Sequence, residues 1–308
     1  MKVKNNKIKF LLAAAVLVAV AFISLMGCSK ANEEIDNSSV GKDSSSYTIE
    51  LEKNEIDVLS REIGIAHNCV LFSLYRNPGI DGLSATELCH YIHDFLVANG
   101  DAMGLVMLPN YMRTADSIGE AMAEIYSSIG RLIENEGTDW YLPDNVDQEL
   151  IIRTMEEYYA FVNEAFLESD TYDEFENACL DHLQALCDET KTINDYFYLN
   201  ACGNITFASY CAWVSIFSGY NTNAKGLLGD SREWLREKYQ IVKGYVVEKI
   251  IKPIENIVSA DLMGGAIGGT AGLLGGAGVA FATGQPFAPL VGLVGGFVVG
   301  AAAGSLFF

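Results

Sequence analysis

Basic side chains are scarce in this chain of 308 residues, which has 20 lysines and arginines against 40 aspartates and glutamates. Five of the basic residues lie at or before position 30, and every acidic residue lies after it, so the rest of the chain has a net charge of about −25. A surface this acidic repels nucleic-acid phosphates and anionic lipid headgroups. The composition therefore excludes a nucleic-acid-binding protein.

The sequence also lacks the short motifs that carry common chemistry. It contains no G-x-S-x-G, no P-loop and no H-E-x-x-H. Paired carboxylates are so frequent in this acidic chain that no pair indicates a glycosidase. We therefore expect no catalytic residues and no cofactor, and an enzyme built in the core is the least favoured hypothesis.

One cluster, formed by Cys89, His90 and His93, has a spacing typical of metal ligands. Zinc would need further ligands, which His67, His182 or an acid could supply, but no spacing requires it. The apolar residues around the cluster indicate an ordinary amphipathic helix with both histidines on its wetter side. We expect no metal site here.

An acidic run could suggest calcium instead. It lacks the glycine that an EF-hand loop needs at its turn, and acids are favourable at the start of a helix, so we interpret it as a solvated helix start. The run comprises Glu168, Asp170, Asp173, Glu174 and Glu176.

No stretch alternates apolar and polar residues with a period of two, which argues against strands. Apolar residues instead recur three and four apart from about Leu51 to Ser259, and Ser84 with Glu87 forms a capping box. The sequence predicts an all-α protein, an antiparallel helical bundle with short loops. Later helices are expected near 114–135, 144–169, 171–199, 205–219 and 230–258, the last kinked at Pro253.

Cysteines are even in number once Cys28 is set aside, so an exported chain could form disulfides. None of them forms a close CxxC pair, and most sit in apolar helical patterns, where a free cysteine behaves as a small buried hydrophobe. We favour buried thiols. The six are Cys69, Cys89, Cys179, Cys187, Cys202 and Cys211.

The chain starts with four lysines and an apolar run from Phe10 to Met26, the pattern of a secretory signal. Residues 25–28, Leu-Met-Gly-Cys, resemble the lipobox of bacterial lipoproteins, although Met26 departs from the usual small residue. The resemblance implies a signal peptide at 1–27 and a membrane anchor through lipid on Cys28, where two or more chains would hold the protein stably.

The residues after the cleavage site resemble an address. Ser29 in place of Asp is similar to an outer-membrane sorting signal, and Glu33, Glu34 and Asp36 resemble the acidic surface-export signal of Bacteroidota lipoproteins. The resemblance implies an outer-membrane lipoprotein of the cell envelope, with a surface-exposed and a periplasm-facing position both left open. Residues 28–47 are rich in Ser, Asn and charge, which predicts a flexible tether.

Gly64-Ile65-Ala66-His67-Asn68 resembles a short motif near the start of exported helical proteins of Bacteroidota, and the resemblance implies no activity. His67 and Asn68 could form a polar recognition site. Alternatively, Gly64 allows close helix packing while His67 and Asn68 bond to a neighbouring loop, and we favour this second interpretation.

The tail has no charged residue after Asp261 and an ordered set of glycines. Residues four apart share a helix face, so two glycine strips would let two helices approach closely. The strips are Gly264, Gly268, Gly272 and Gly276, and then Gly292, Gly296, Gly300 and Gly304. With a turn at Thr283-Gly284-Gln285-Pro286, they predict an acidic helical domain at 48–260 and a glycine-zipper helical hairpin at 261–308.

Each predicted arm has about 22 residues, or about 33 Å of helix, enough to cross a bilayer. The tail resembles glycine-zipper segments of outer-membrane-associated proteins and class II bacteriocins. Because glycine is a poor helix former, the tail needs lipid or protein around it. We expect a non-enzymatic envelope protein whose tail interacts with membrane or self-associates, the alternative being a bacteriocin-like membrane-active toxin with a helical carrier domain.

Overall fold

The computed structural model describes residues 49–75, 77–136, 142–219, 231–249, 251–283 and 287–307. The predicted signal peptide, Cys28, the predicted tether and residues 284–286 of the predicted turn lie outside the described residues. The helices are α1 (Lys53–Leu74), α2 (Ala85–Asn99), α3 (Leu108–Ile118), α4 (Glu120–Glu136), α5 (Gln148–Glu168), α6 (Tyr172–Asp188), α7 (Ile193–Phe217), α8 (Ser231–Lys249), α9 (Ile251–Thr283) and α10 (Ala288–Phe307). The described residues contain no strand, so the all-α prediction is confirmed.

The outer helices are amphipathic, and side chains cap the starts of several of them. On α1, the apolar positions Ile56, Leu59 and Ile63 are fully buried. The capping box predicted before α2 is confirmed, because the Ser84 hydroxyl accepts from the Glu87 backbone N–H at 3.2 Å and the Glu87 carboxylate accepts from the Ser84 N–H at 2.8 Å. These caps satisfy backbone donors that the first helical turn leaves free.

Several predicted helix boundaries were wrong. The helix expected at 114–135 is two helices, because Gly119 has φ +63° and ends α3. Two helices were expected at 171–199 and 205–219, with a break between them. The break instead follows Asp188, where α6 ends, and α7 continues through Gly203. The space left by this missing side chain is filled by Leu183 of α6, so the glycine serves packing rather than a turn.

The kink expected at Pro253 stays a prediction, because residue 250, just before α9, lies outside the described residues. α9 then runs to Thr283. Residues 260 and 261, between which the sequence analysis divided the chain, are neighbours within this one helix.

Two elements are largely buried. One is α7, whose residues from Asn194 to Ile216 are all buried. The other is the pair formed by α10 and the part of α9 from Asp261 onward, called here the hairpin, in which α9 keeps a half-buried outer face that includes Leu274. α9 lies against α4 and α7, and α10 lies against α1, α2, α3 and α4.

Candidate functional site: the buried glycine hairpin

The structure brings the eight predicted strip glycines to one interface between α9 and α10. A Cβ atom built on any of them would lie within 3.0 Å of a backbone atom of the opposite arm. The facing positions are 264 with 300, 268 with 296, 272 with 292, 276 with Ala288, and 304 with Ala260. Each step of four along one arm is matched by four back along the other, so the arms are antiparallel in constant register. The contact is backbone on backbone, which only glycine allows.

A second set of glycines, which the sequence analysis did not single out, receives side chains. Gly269 faces the ring of Phe297 on the opposite arm, and Gly265 faces Ile205 of α7. Gly275 faces Ile125 of α4, and Gly295 faces the hydroxyl of Tyr126. Gly265, Gly275 and Gly295 therefore fit the hairpin to the surrounding helices, whereas Gly269 and the strip glycines fit its arms to each other.

The two arms are long and apolar enough to cross a membrane. Among the described residues, this holds for Asn256–Ala277, with a mean hydropathy of 1.4, and for Ala288–Leu306, with 1.8. In the bundle, 67% of the first window and 89% of the second are buried. Side chains of the surrounding helices therefore cover most of the hairpin.

One carboxylate, that of Asp261, is fully buried at the base of the hairpin. It accepts hydrogen bonds from the Ser209 and Ser305 hydroxyls and, at 3.2 Å, from the Trp213 indole N–H. His67 Nε2 lies 3.4 Å from its Oδ2. These five residues, from α1, α7, α9 and α10, are called the Asp261 cluster. A buried charge needs such partners, because desolvation without them is costly.

The Asp261 cluster holds serine, histidine and aspartate but lacks the geometry of a catalytic triad. In a triad the acid and the serine contact different ring nitrogens of the histidine. Here His67 Nε2 contacts both the Ser305 hydroxyl, at 3.0 Å, and Asp261, while Nδ1 faces Asn68 at 3.2 Å. Since His67, Ser209 and Asp261 are 0% exposed, substrate has no route to them.

Gly64 allows close helix packing, as the sequence analysis predicted for its motif. A Cβ on it would lie 2.9 Å from the backbone oxygen of Asn204 on α7. His67 and Asn68 do not bond to a loop, however, because α10 rather than a loop covers this face of α1. His67 binds Ser305 of the hairpin, and Asn68 binds His67. Both are buried, which leaves no polar recognition surface at these residues.

The residues considered as metal ligands are held by other contacts. His90 Nε2 is 3.0 Å from the Ser127 hydroxyl. His93 is buried beside the Tyr126 ring, with centroids 4.7 Å apart, so its placement on the wetter side of α2 was wrong; α4 covers that side. Burial lowers the pKa of His93 and raises the pKa of the Cys89 thiol to about 12. In the part of the chain that the structure describes, no three His, Cys, Asp or Glu residues meet in a way that could hold a metal ion.

The acidic run at Glu168–Glu176 spans the start of α6, as the helix-start interpretation holds. The Thr171 side chain accepts from the Glu174 backbone N–H, and the Glu174 carboxylate accepts in return, forming a capping box.

The six cysteines among the described residues are free thiols, and all but the half-buried Cys69 are buried. Burial raises the pKa of Cys187 to about 12 and raises those of Cys179 and Cys202 further. These thiols are therefore unreactive, as expected of small buried hydrophobes.

Sequence reasoning missed the Asp261 cluster, because its other four residues lie far from Asp261 in the chain. Asp261 was noted only as the last charged residue. A usable indication was its position, one acid at the head of a long uncharged segment, which is costly to bury without partners. Comparisons of the chain with known protein families, with curated proteins and with solved structures find no match.

Proposed function

We propose that this chain is a lipid-anchored, non-enzymatic protein of the cell envelope that stores a membrane-insertable glycine hairpin inside an acidic helical bundle. Lipid on Cys28 would hold the bundle at an outer-membrane surface that its own negative charge does not favour. The hairpin would then leave the bundle and enter the bilayer. Incorporation of a fatty-acid analogue by the parent but not by Cys28→Ser tests the anchor, and equal incorporation would contradict it.

The observation that carries the proposal is the near absence of polar side chains in the hairpin. From Leu262 to Thr283 these are Thr270 and Thr283, and from Ala288 to Leu306 the one hydroxyl is Ser305. Burial inside this protein does not require such purity, because α7 is more completely buried than the hairpin and has many polar side chains. They include Asn194, Asp195, Asn200, Asn204, Thr206, Ser209 and Ser215. A bilayer does require it.

The hairpin also retains its own interactions when it changes surroundings. Helical backbone bonds are internal to each arm, and the glycine contacts join the arms to each other. In lipid, close backbone packing is the main attraction between helices, so the two strips suit both states. The bundle contacts, such as that of Gly275 with Ile125, are the ones that would be lost.

Polarity along the hairpin favours entry by the turn. Asp261 and Ser305 lie together at one end, and the arm ends Thr283 and Ala288 lie at the other. If the uncharged turn crosses first, the carboxylate stays among the headgroups, where water can solvate it. A charge at the bilayer centre would be costly.

A disulfide between hairpin and bundle tests the proposal. A Cβ on Gly275 would lie 3.6 Å from the Cβ of Ile125, within the span of a disulfide. The matched control joins the two arms: a Cβ on Gly265 would lie 3.4 Å from that of Ala301. The pairs are Ile125→Cys with Gly275→Cys, and Gly265→Cys with Ala301→Cys. The readout is the fraction of chain that floats with phosphatidylcholine vesicles and resists a carbonate wash.

We expect oxidation of the hairpin-to-bundle pair to abolish this fraction and reduction to restore it, whereas the arm-to-arm pair inserts in both states. Equal insertion of both oxidised proteins would contradict the proposal. So would failure of the reduced proteins to insert, and dimers formed without vesicles would then indicate self-association instead. Release of a trapped dye on insertion would indicate the bacteriocin-like toxin.

A further inference from the structure

The Asp261 cluster joins the hairpin to the two helices that cover its base. Asp261 and Ser305 belong to the hairpin, whereas His67 belongs to α1 and Ser209 and Trp213 belong to α7. Their positions four apart put Ser209 and Trp213 on one face of α7, and both donate to the same oxygen, Oδ2.

We propose that this cluster is the latch that retains the hairpin in the bundle, an inference that rests on the proposed function. Ser209, Trp213 and His67 hold the Asp261 carboxylate from the bundle side. The rate at which the hairpin leaves the bundle depends on breaking these contacts, not on a change within the hairpin.

The contacts of the cluster divide into two groups. The hydrogen bond from Ser305 to Asp261 lies within the hairpin and travels with it. The hydrogen bonds from Ser209 and Trp213, and the contact with His67, cross to the bundle and break on departure. Because the carboxylate then meets headgroups or water instead of buried donors, the crossing contacts favour the stored state alone.

Beyond the cluster, the hydroxyls of Tyr198 on α7 and Thr270 on α9 lie 3.5 Å apart, and the other contacts between hairpin and bundle are mainly apolar. Gly265 against Ile205 and Gly275 against Ile125 are contacts that lipid chains can replace at little cost. The donors to Asp261 have no equivalent in a hydrocarbon layer. The Asp261 cluster is therefore the part of the interface that distinguishes protein from lipid as the surroundings of the hairpin.

Substitutions on the bundle side separate a latch from a change in hydrophobicity, because they leave the hairpin sequence intact. Ser209→Ala removes one donor to Asp261. Its matched control is Ser215→Ala, also a buried serine of α7, whose hydroxyl bonds to the Cys211 carbonyl of its own helix at 2.7 Å. Val162→Ala, in the core on α5, lowers overall stability without touching the hairpin.

The experiment measures the rate of vesicle insertion of the full processed chain and its free energy of unfolding in urea. We expect Ser209→Ala to insert about tenfold faster, as the loss of a hydrogen bond to a charged group predicts. Ser215→Ala should insert at the parent rate, and so should Val162→Ala despite its lower stability. Trp213→Phe should act in the same direction as Ser209→Ala.

Two results would overturn the latch, and they differ in what else they overturn. If the insertion rates of all variants simply follow their unfolding free energies, the cluster is structural and the proposed function stands. If neither the parent nor the reduced forms of the two cysteine-pair variants insert, the proposed function fails and the latch fails with it.

Discussion

Helix α7 and the hairpin are both largely buried, yet they are built from different side chains. α7 is rich in aromatic residues such as Tyr198 and Trp213, and its polar residues find partners, as when the Asn204 amide donates to Asn200 Oδ1 at 2.7 Å. The hairpin replaces aromatic bulk by glycine and has almost no polar groups to satisfy.

The difference teaches that burial in this bundle does not dictate composition. A helix fixed in a protein core can satisfy polar groups with specific partners, and these partners give it one place to stay. A helix with no such groups fits any apolar surroundings. Asp261 is the one charged group of the hairpin, and the protein supplies its partners from α1 and α7.

The largest expected effect comes from a bulky side chain on a glycine strip. Gly272→Leu or Gly296→Leu should lower the free energy of unfolding by about 3 kcal/mol or more, because the new side chain meets backbone that cannot move aside. Urea unfolding followed by circular dichroism measures this. Leu274→Ala, at a half-buried position off the main strip, should cost about 1 kcal/mol. Equal losses for the three variants would show that the strips do not pack.

A smaller effect is expected when glycine is replaced by alanine. The change in stability should have opposite signs inside and outside the hairpin. Gly272→Ala should destabilise by about 1 to 3 kcal/mol, because even one Cβ overlaps the opposite arm. Gly244→Ala, in α8 with open space around the new carbon, should stabilise by about 0.5 to 1 kcal/mol through helix propensity. The shift in thermal midpoint measures both, and stabilisation by Gly272→Ala would remove the case for backbone contact.

The smallest effect is expected in α7. Thr206 donates only to the Cys202 carbonyl of its own helix, at 2.9 Å, so Thr206→Val should change the free energy of unfolding by less than about 1 kcal/mol. Asn204→Leu should cost more, because it leaves the Asn200 side chain without that donor. Urea unfolding of the two variants should rank them in this order. The reverse ranking would mean that the polar groups of α7 do not fix it in place.

The helical class and the packing of the hairpin arms were accessible from the sequence for a local reason. Periods of three and four residues mark the buried face of α1, and a period of four marks the glycine strips. Close contact between the backbones of the two arms requires residues without a side chain, such as Gly268 and Gly296. The lack of a side chain can be read from the sequence at each position.

Other features depend on contacts that no local pattern encodes. The surroundings of the hairpin were left open between lipid and protein, because its composition suits both. The continuity of α7 through Gly203 depends on Leu183 of another helix, and the break at Gly119 depends on a positive φ. The Asp261 cluster joins residues more than 40 positions apart, from His67 to Ser305.

Water access to the outer face of α9 tests the central claim most directly, because the stored and inserted states differ there. Leu274 is partly exposed in the bundle, so Leu274→Cys should react with a water-soluble maleimide, as should Val106→Cys at a position that is 73% exposed. Cys69, the half-buried native thiol, is replaced by serine in both proteins so that it does not react with the maleimide. At Cys89 and Cys187 the raised thiol pKa suppresses this reaction. On addition of membranes, we predict that Leu274→Cys becomes protected while Val106→Cys remains reactive. Equal labelling of Leu274→Cys with and without membranes would contradict the account.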